Sequence, residues 1–131
     1  MTTPPRVTGI GGVFLKARDR AGLGEWYRDH LGIDVQHGGF AVFRWREEKD
    51  PARGGTTVWS LFPDATEYFG SDAQRAMVNY RVADLDEVLA ALRREGVTVD
   101  ERIEETSEGR FAWITDPEGN RIELWQPPPG R

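Results

Sequence analysis

The chain contains no cysteine. That excludes disulfides and thiolate metal sites, and it fits a reducing compartment, so a cytoplasmic protein is expected. Long apolar runs are also missing. None approaches the roughly 18 residues that a membrane-spanning helix needs, so no membrane association is expected. Residues 1–6 hold no apolar stretch of the kind a secretory signal requires. Lysine is scarce, with only Lys16 and Lys49 among 17 basic residues, and histidine is limited to His30 and His37. The formal net charge is −5 and no basic face is evident, which argues against a nucleic-acid partner. A glycine-rich phosphate loop is lacking too, because Gly9-Ile-Gly-Gly12 leads into a strand pattern rather than opening a helix. No Ser/His/Asp arrangement can be drawn.

What is present describes a soluble globular chain. At 131 residues it can bury one core but not two independent ones, and 38% hydrophobic with 30% charged residues is an ordinary globular balance. Five tryptophans are many for this length and must line either a core or a pocket.

The chain reads as one pattern written twice. Val13-Phe-Leu-Lys-Ala-Arg-Asp19 is followed by a helical pattern and then Leu31-Gly-Ile33. Val78-Asn-Tyr-Arg-Val-Ala-Asp84 is followed by a helical pattern and then Glu95-Gly-Val97. Asp84 suits an N-cap, with Glu87 placed as in a capping box. Leu85, Val88, Leu89 and Leu92 form the apolar stripe of an amphipathic helix, and Gly96 is its expected stop. The first helix is predicted over about residues 20–30, capped by Asp19 and ended by Gly32, with Leu23, Trp26, Tyr27 and Leu31 as its buried face.

Strands follow each helix. The expected set in the first half is residues 33–37, 40–46 and 56–62, with a polar loop through Gly55. In the second half it is 97–103, 110–115 and 121–126, with an acidic solvated turn over 104–109. Asp116-Pro-Glu-Gly-Asn120 reads as a hairpin turn, since Pro117 presets φ and Gly119 or Asn120 can take positive φ. Pro127, Pro128 and Pro129 cannot join a ladder. The predicted fold class is therefore α+β. Two β-α-β-β-β modules, at about 8–62 and 76–127 with a linker at 63–75, form a curved mixed sheet around a concave cup, helices outside. The concave face is the natural ligand site.

Asp116-Pro-Glu-Gly-Asn-Arg-Ile-Glu-Leu-Trp125 resembles the closing motif of the vicinal oxygen chelate superfamily, and Trp26-Tyr-Arg-Asp-His-Leu-Gly32 resembles its first-helix motif. The superfamily includes glyoxalase I, extradiol dioxygenases, methylmalonyl-CoA epimerase and the bleomycin resistance proteins. The resemblance covers about residues 8 to 127 and implies a single glyoxalase-like domain and a homodimer. It also implies a divalent metal acting as Lewis acid, held at four positions. Carried through the repeat, those positions are Gly12, Ser60, Met77 and Glu123, and only Glu123 is a hard-metal ligand. A divalent ion needs two or three protein ligands from His, Asp or Glu, so no metal cofactor is expected.

Strand alternation instead puts Phe14 and Lys16 on the face of Gly12, and Asn79 and Arg81 on the face of Met77. Ser60 shares a face with Phe62, and Glu123 with Trp125. These residues are the expected ligand-binding set. Glu123 reads either as a pocket base or cation-binding carboxylate, or as an acid paired with Arg81, Lys16 or a backbone amide. Asn79 and Arg81 read either as ligand-orienting groups or as a cross-strand pair. The leading expectation is a small-molecule-binding protein similar in kind to the bleomycin resistance proteins, working without metal. The rivals are a lyase, isomerase or dioxygenase with an atypical site using Glu123, and a scaffold module whose cup is filled by its own side chains.

Overall fold

A computed structural model describes residues 6–48 and 50–131. Lys49 and residues 1–5, on which the expectation of no secretory signal largely rests, lie outside the described residues. Among the described residues the fold is α+β, with two helices and seven strands. No helix among the described residues is long and apolar enough to cross a membrane. The chain divides into two compact units, Gly12–Met77 in one and Met1–Gly11 with Val78–Arg131 in the other.

The unit Gly12–Met77 contains most of β1 (Val7–Ala17), α1 (Arg20–Leu31), β2 (Phe40–Arg46) and β3 (Gly54–Pro63). β3 pairs parallel with β1 and antiparallel with β2. The parallel pairing requires the crossover that α1 supplies. Asp19 caps α1 by accepting from the Gly22 N–H at 3.0 Å, and Gly32 ends it in the left-handed region at φ 68°. Leu15, Ala17, Ala41, Trp59 and Leu61 pack with Leu23, Tyr27 and Val35 into this unit's core.

Three expectations fail here. Trp26 and Leu31 are 50% and 61% exposed rather than buried. The helix docks through Gly24, where an added Cβ would stand 3.2 Å from Val35 Cγ1 and 3.9 Å from Leu61 Cδ1. Trp26 lies off that face, and Leu31 is the last helical residue. Residues 33–37 form no strand and contribute only an isolated bridge from Gln36 to Phe40. Gly38 and Gly39, both at positive φ, turn the chain at once, and the Val35 carbonyl accepts from the Arg28 side chain instead of from a ladder. The Gly9 to Gly12 run also lies inside β1 rather than before it.

The other unit holds β4 (Ala76–Val82), α2 (Leu85–Arg94), β5 (Thr98–Thr106), β6 (Gly109–Thr115) and β7 (Arg121–Gln126), apart from the first two residues of β4. β4 and β7 pair in parallel, and β7–β6 and β6–β5 are antiparallel. Asp84 accepts from the Glu87 N–H at 3.1 Å, and Gly96 follows the helix at φ 79°. Leu85, Val88 and Leu89 pack with Val82, Ala112 and Leu124, so this face of the sheet belongs to α2. The acidic segment is strand as far as Thr106, with only Ser107 and Glu108 in the turn. Its acids do not prevent pairing, because β5 alternates exposed charges along a ladder that continues from Ile103 to Thr106. The hairpin turn is as expected, with Gly119 taking the positive φ of 86°.

Candidate functional site

Alternation along β4, β7 and β6 leaves one face opposite α2, and ladder register arranges it in two rows. Asn79 is opposite Glu123 and Glu123 opposite Trp113, while Arg81 is opposite Trp125 and Trp125 opposite Phe111. Such directly opposed side chains are the contact pairs of a sheet.

The first row is joined by hydrogen bonds. Asn79 Nδ2 donates to Glu123 Oε1 at 2.6 Å, and Trp113 Nε1 donates to Glu123 Oε2 at 3.0 Å. Glu123 is 1% exposed and Asn79 2%. A buried carboxylate is tolerated when such donors meet both its oxygens. Arg102 and Arg121 place guanidinium carbons 5.7 and 5.3 Å from the Trp113 ring centroid, so this indole sits among cations as well as donating. The Asn79 carboxamide is incompletely satisfied. Its Oδ1 is buried with no hydrogen-bond partner among the described residues, and a buried acceptor left so carries a desolvation cost of about 1–3 kcal/mol.

The second row is stacked. The Arg81 guanidinium lies 5.1 Å from the Trp125 centroid, and Phe111 runs nearly parallel to Trp125 at 6.1 Å and 6°. Trp125 Nε1 donates to the Glu108 carbonyl at 2.7 Å. Arg81 donates to the Arg131 main-chain oxygen, fifty residues away. Gly11 completes this unit. A Cβ there would strike Asn79 Oδ1, and would lie 2.8 Å from Trp125 Cε3 and 3.0 Å from Arg81 Cγ. The sequence pattern places Gly11 ahead of the first strand, whereas it lies within β1. A glycine within a strand pattern can mark such a close approach.

In the unit Gly12–Met77, Phe14 is opposite Ser60 and Lys16 opposite Phe62. Here the segment read as a linker supplies side chains to the same cluster. Tyr68 stacks on Phe62 at 5.4 Å, Phe69 meets Phe62 at 5.3 Å, and Phe14 meets Phe62 at 5.2 Å. Lys16 Nζ lies 5.5 Å from the Phe69 centroid and donates to the Ser71 and Asp72 carbonyls at 3.0 and 3.4 Å. The adjacent Tyr68-Phe69 pair was the available signal for this role. The four residues Phe14, Lys16, Ser60 and Phe62 are thus brought together in one unit, and Asn79, Arg81, Glu123 and Trp125 in the other. Glu123 has two partners that neither reading named, Asn79 and Trp113.

The residues at the four superfamily metal positions do not fit a divalent cation. Gly12 offers no side-chain donor, Met77 offers a thioether, Ser60 a neutral hydroxyl, and both Glu123 oxygens accept from Asn79 and Trp113. Among the described residues no group of three or more His, Asp or Glu could hold a metal.

Comparison with known proteins matches residues 12–125 to a family model described as a glyoxalase-like domain. Among curated proteins no match is found. A structure of methylmalonyl-CoA epimerase from Mycobacterium tuberculosis is 26% identical, with TM-score 0.62 over 98% of this chain and 94% of that one. A Streptomyces coelicolor methylmalonyl-CoA epimerase variant in complex with 2-nitronate-propionyl-CoA is 21% identical, with TM-score 0.69 over 95% and 98%. A protein described as NAD-dependent benzaldehyde dehydrogenase from Legionella pneumophila is 15% identical, with TM-score 0.59 over 89% and 98%.

Proposed function

Because the chain belongs to the glyoxalase-like domain family, we propose that it binds a small organic molecule, aromatic or polar, at the two-row face of β4, β7 and β6, without a catalytic metal. The observation that carries this reading is the Asn79 carboxamide oxygen, a buried acceptor with no protein partner among the described residues, beside Arg81 and Trp125. A ligand N–H or O–H there would remove the desolvation cost of that oxygen. Asn79 then orients the ligand, Arg81 supplies positive charge and Trp125 apolar area. Glu123 fixes Asn79 and Trp113 and is framework rather than base. A cytoplasmic homodimer belongs to the same reading.

Calorimetry of the purified chain against aromatic acids, phenols and acyl-CoA thioesters tests it. At least one class binds, EDTA leaves the affinity unchanged, and Asn79→Ala weakens it about tenfold, the loss of one good hydrogen bond. Stoichiometric Zn, Ni, Mn or Fe that disappears in Glu123→Ala would overturn the metal-free reading. A second reading, turnover of an acyl-CoA thioester, is favoured by the 26% identity to the mycobacterial epimerase. Deuterium uptake from solvent at the α-carbon of methylmalonyl-CoA would establish it.

A further inference from the structure

Trp26 is half exposed on α1, and the core of its unit does not use it. A lone exposed apolar side chain is ordinary on a protein surface. This one borders a cavity of about 640 Å³ within the unit Gly12–Met77, lined also by Lys16, Arg18, Gly22, Tyr27 and Arg75. Small-molecule sites have volumes of this order. The indole is held in place. It meets the Tyr27 ring edge-on at 5.2 Å and the His30 ring at 4.9 Å, and Tyr27 is itself packed edge-on against Trp59 at 4.9 Å. Helical side chains lean toward the N-terminus, so Trp26 covers the turn of Gly22, which has no side chain to fill that space. The cap of α1 requires this glycine as well, since a Cβ at position 22 would strike Asp19 Oδ2.

The polar side of the cavity is cationic. Lys16 Nζ is spent on the Ser71 and Asp72 carbonyls, neutral acceptors that leave its charge uncancelled. Arg75 pairs with Asp64. Arg18 is exposed and makes no side-chain hydrogen bond or ion pair among the described residues. The hydrogen bond from Arg75 first, then, against desolvation, the charges of Arg75, Arg18 and Lys16 hold the Asp64 carboxyl below its ordinary range, so all three cations act on one acid. Asp19, the acid in the cavity wall, is committed to the α1 cap. We infer that this cavity is a second ligand site, independent of the reading above and built from other residues, and that it takes an aromatic carboxylate. The ligand ring lies on Trp26, because flat rings stack favourably. The carboxylate meets Arg18, whose planar guanidinium can offer it two parallel N–H bonds. Lys16 and Arg75 contribute field rather than contact. In a chain of net charge −5, three cations gathered beside a half-exposed indole select an anion with a flat apolar body.

The test is NMR of the indole N–H signals during titration with 1-naphthoate and its neutral counterpart 1-naphthamide. The chain has five tryptophans, and Trp26→Phe identifies the Trp26 signal by its loss. Naphthoate shifts that signal saturably in the natural chain. Naphthamide shifts it with about threefold weaker affinity, the scale of a solvent-exposed charge pair. Arg18→Gln brings naphthoate down to the amide and leaves the amide unchanged. Trp26→Ala, followed at the Gly22 main-chain N–H, weakens both ligands about tenfold through the lost stacking area. If Trp26→Ala does not fold, Arg18→Gln and the Trp26 shift of the natural chain decide. A Trp26 signal that stays still at about 10 mM naphthoate, where even a millimolar site is mostly filled, overturns the site. Equal response to acid and amide, or a preference that survives Arg18→Gln, overturns the carboxylate assignment. The Trp113 and Trp125 signals report the other face. Movement of those alone overturns this site and leaves the binding reading standing, and movement of Trp26 alone sustains this site without it.

Discussion

Replacing Gly11 by alanine probes the two-row face at the point where it is most tightly closed. Gly11 is not held at positive φ, so its backbone accepts an L residue and only space is at issue. The new methyl would collide with Asn79 Oδ1 and press on Trp125 Cε3 at 2.8 Å and Arg81 Cγ at 3.0 Å. Trp125 cannot retreat freely, because its ring is stacked with Phe111 and its indole N–H is bound. Overpacking of this kind costs about 1–3 kcal/mol. Against it stands a gain of about 0.5–1 kcal/mol from restricting the unfolded chain. The net is a destabilisation of about 1–2 kcal/mol. For a domain of this length that lowers the melting temperature by roughly 3–10 °C. A double-mutant cycle with Asn79→Ala makes the argument specific. Asn79→Ala alone costs about 1.5–3 kcal/mol, since the buried Glu123 carboxylate loses a donor. It also removes the atom that the new methyl strikes, so the double variant is less destabilised than the sum by about 1 kcal/mol. Urea denaturation of the four proteins measures each term. A neutral or stabilising Gly11→Ala, or strict additivity in the cycle, would refute the claim that Asn79 is pinned between Gly11 and Glu123.

Trp113→Phe removes the donor to Glu123 Oε2 and leaves space in a residue position that is 1% exposed, so it lowers stability by about 2–4 kcal/mol in urea titration; a loss under about 1 kcal/mol would mean the carboxylate does not depend on the indole. At the hairpin turn, the Asn120 carboxamide first, then the main-chain N–H groups of Asn120, Glu118 and Gly119, hold the Asp116 carboxyl below its ordinary range. A carboxyl depressed in the folded state stabilises above its unfolded pKa, near 4, and loses that contribution as pH falls through the lower folded value. The melting-temperature gap between the natural chain and Asp116→Asn is therefore widest at neutral pH and closes as pH falls through the lowered folded value, and a gap independent of pH would contradict the turn's electrostatics.

Local signals were legible without a fold. Asp19 and Asp84 cap helices, Gly32 and Gly96 end them, and Asp116 to Asn120 turns a hairpin, because each acts on backbone groups within about four residues of itself. The α2 stripe and the duplicated pattern follow from the same short-range periodicity. The face opposite α2 was legible as alternation, which pairs Asn79 with Arg81 on one strand and Glu123 with Trp125 on another. What those residues do was not legible. Glu123 finds its donors 44 and 10 residues away, and it finds them through the register of two ladders, where a slip of one residue would turn every side chain to the other face. The docking of α1 through Gly24 exposed Trp26, and the folding back of Tyr68 and Phe69 made a linker part of an aromatic cluster. The return of Arg131 to Arg81 likewise depends on a turn at residues 128–131 that carries no helical or strand signal. The sequence by itself determined the helices, their caps and which side chains of β4, β6 and β7 share a face, since those are local properties of the chain. Only the tertiary structure decided which carboxylate oxygen meets which donor and which acceptor stays unmet, because contacts between distant residues exist only once strand register and close packing have been set.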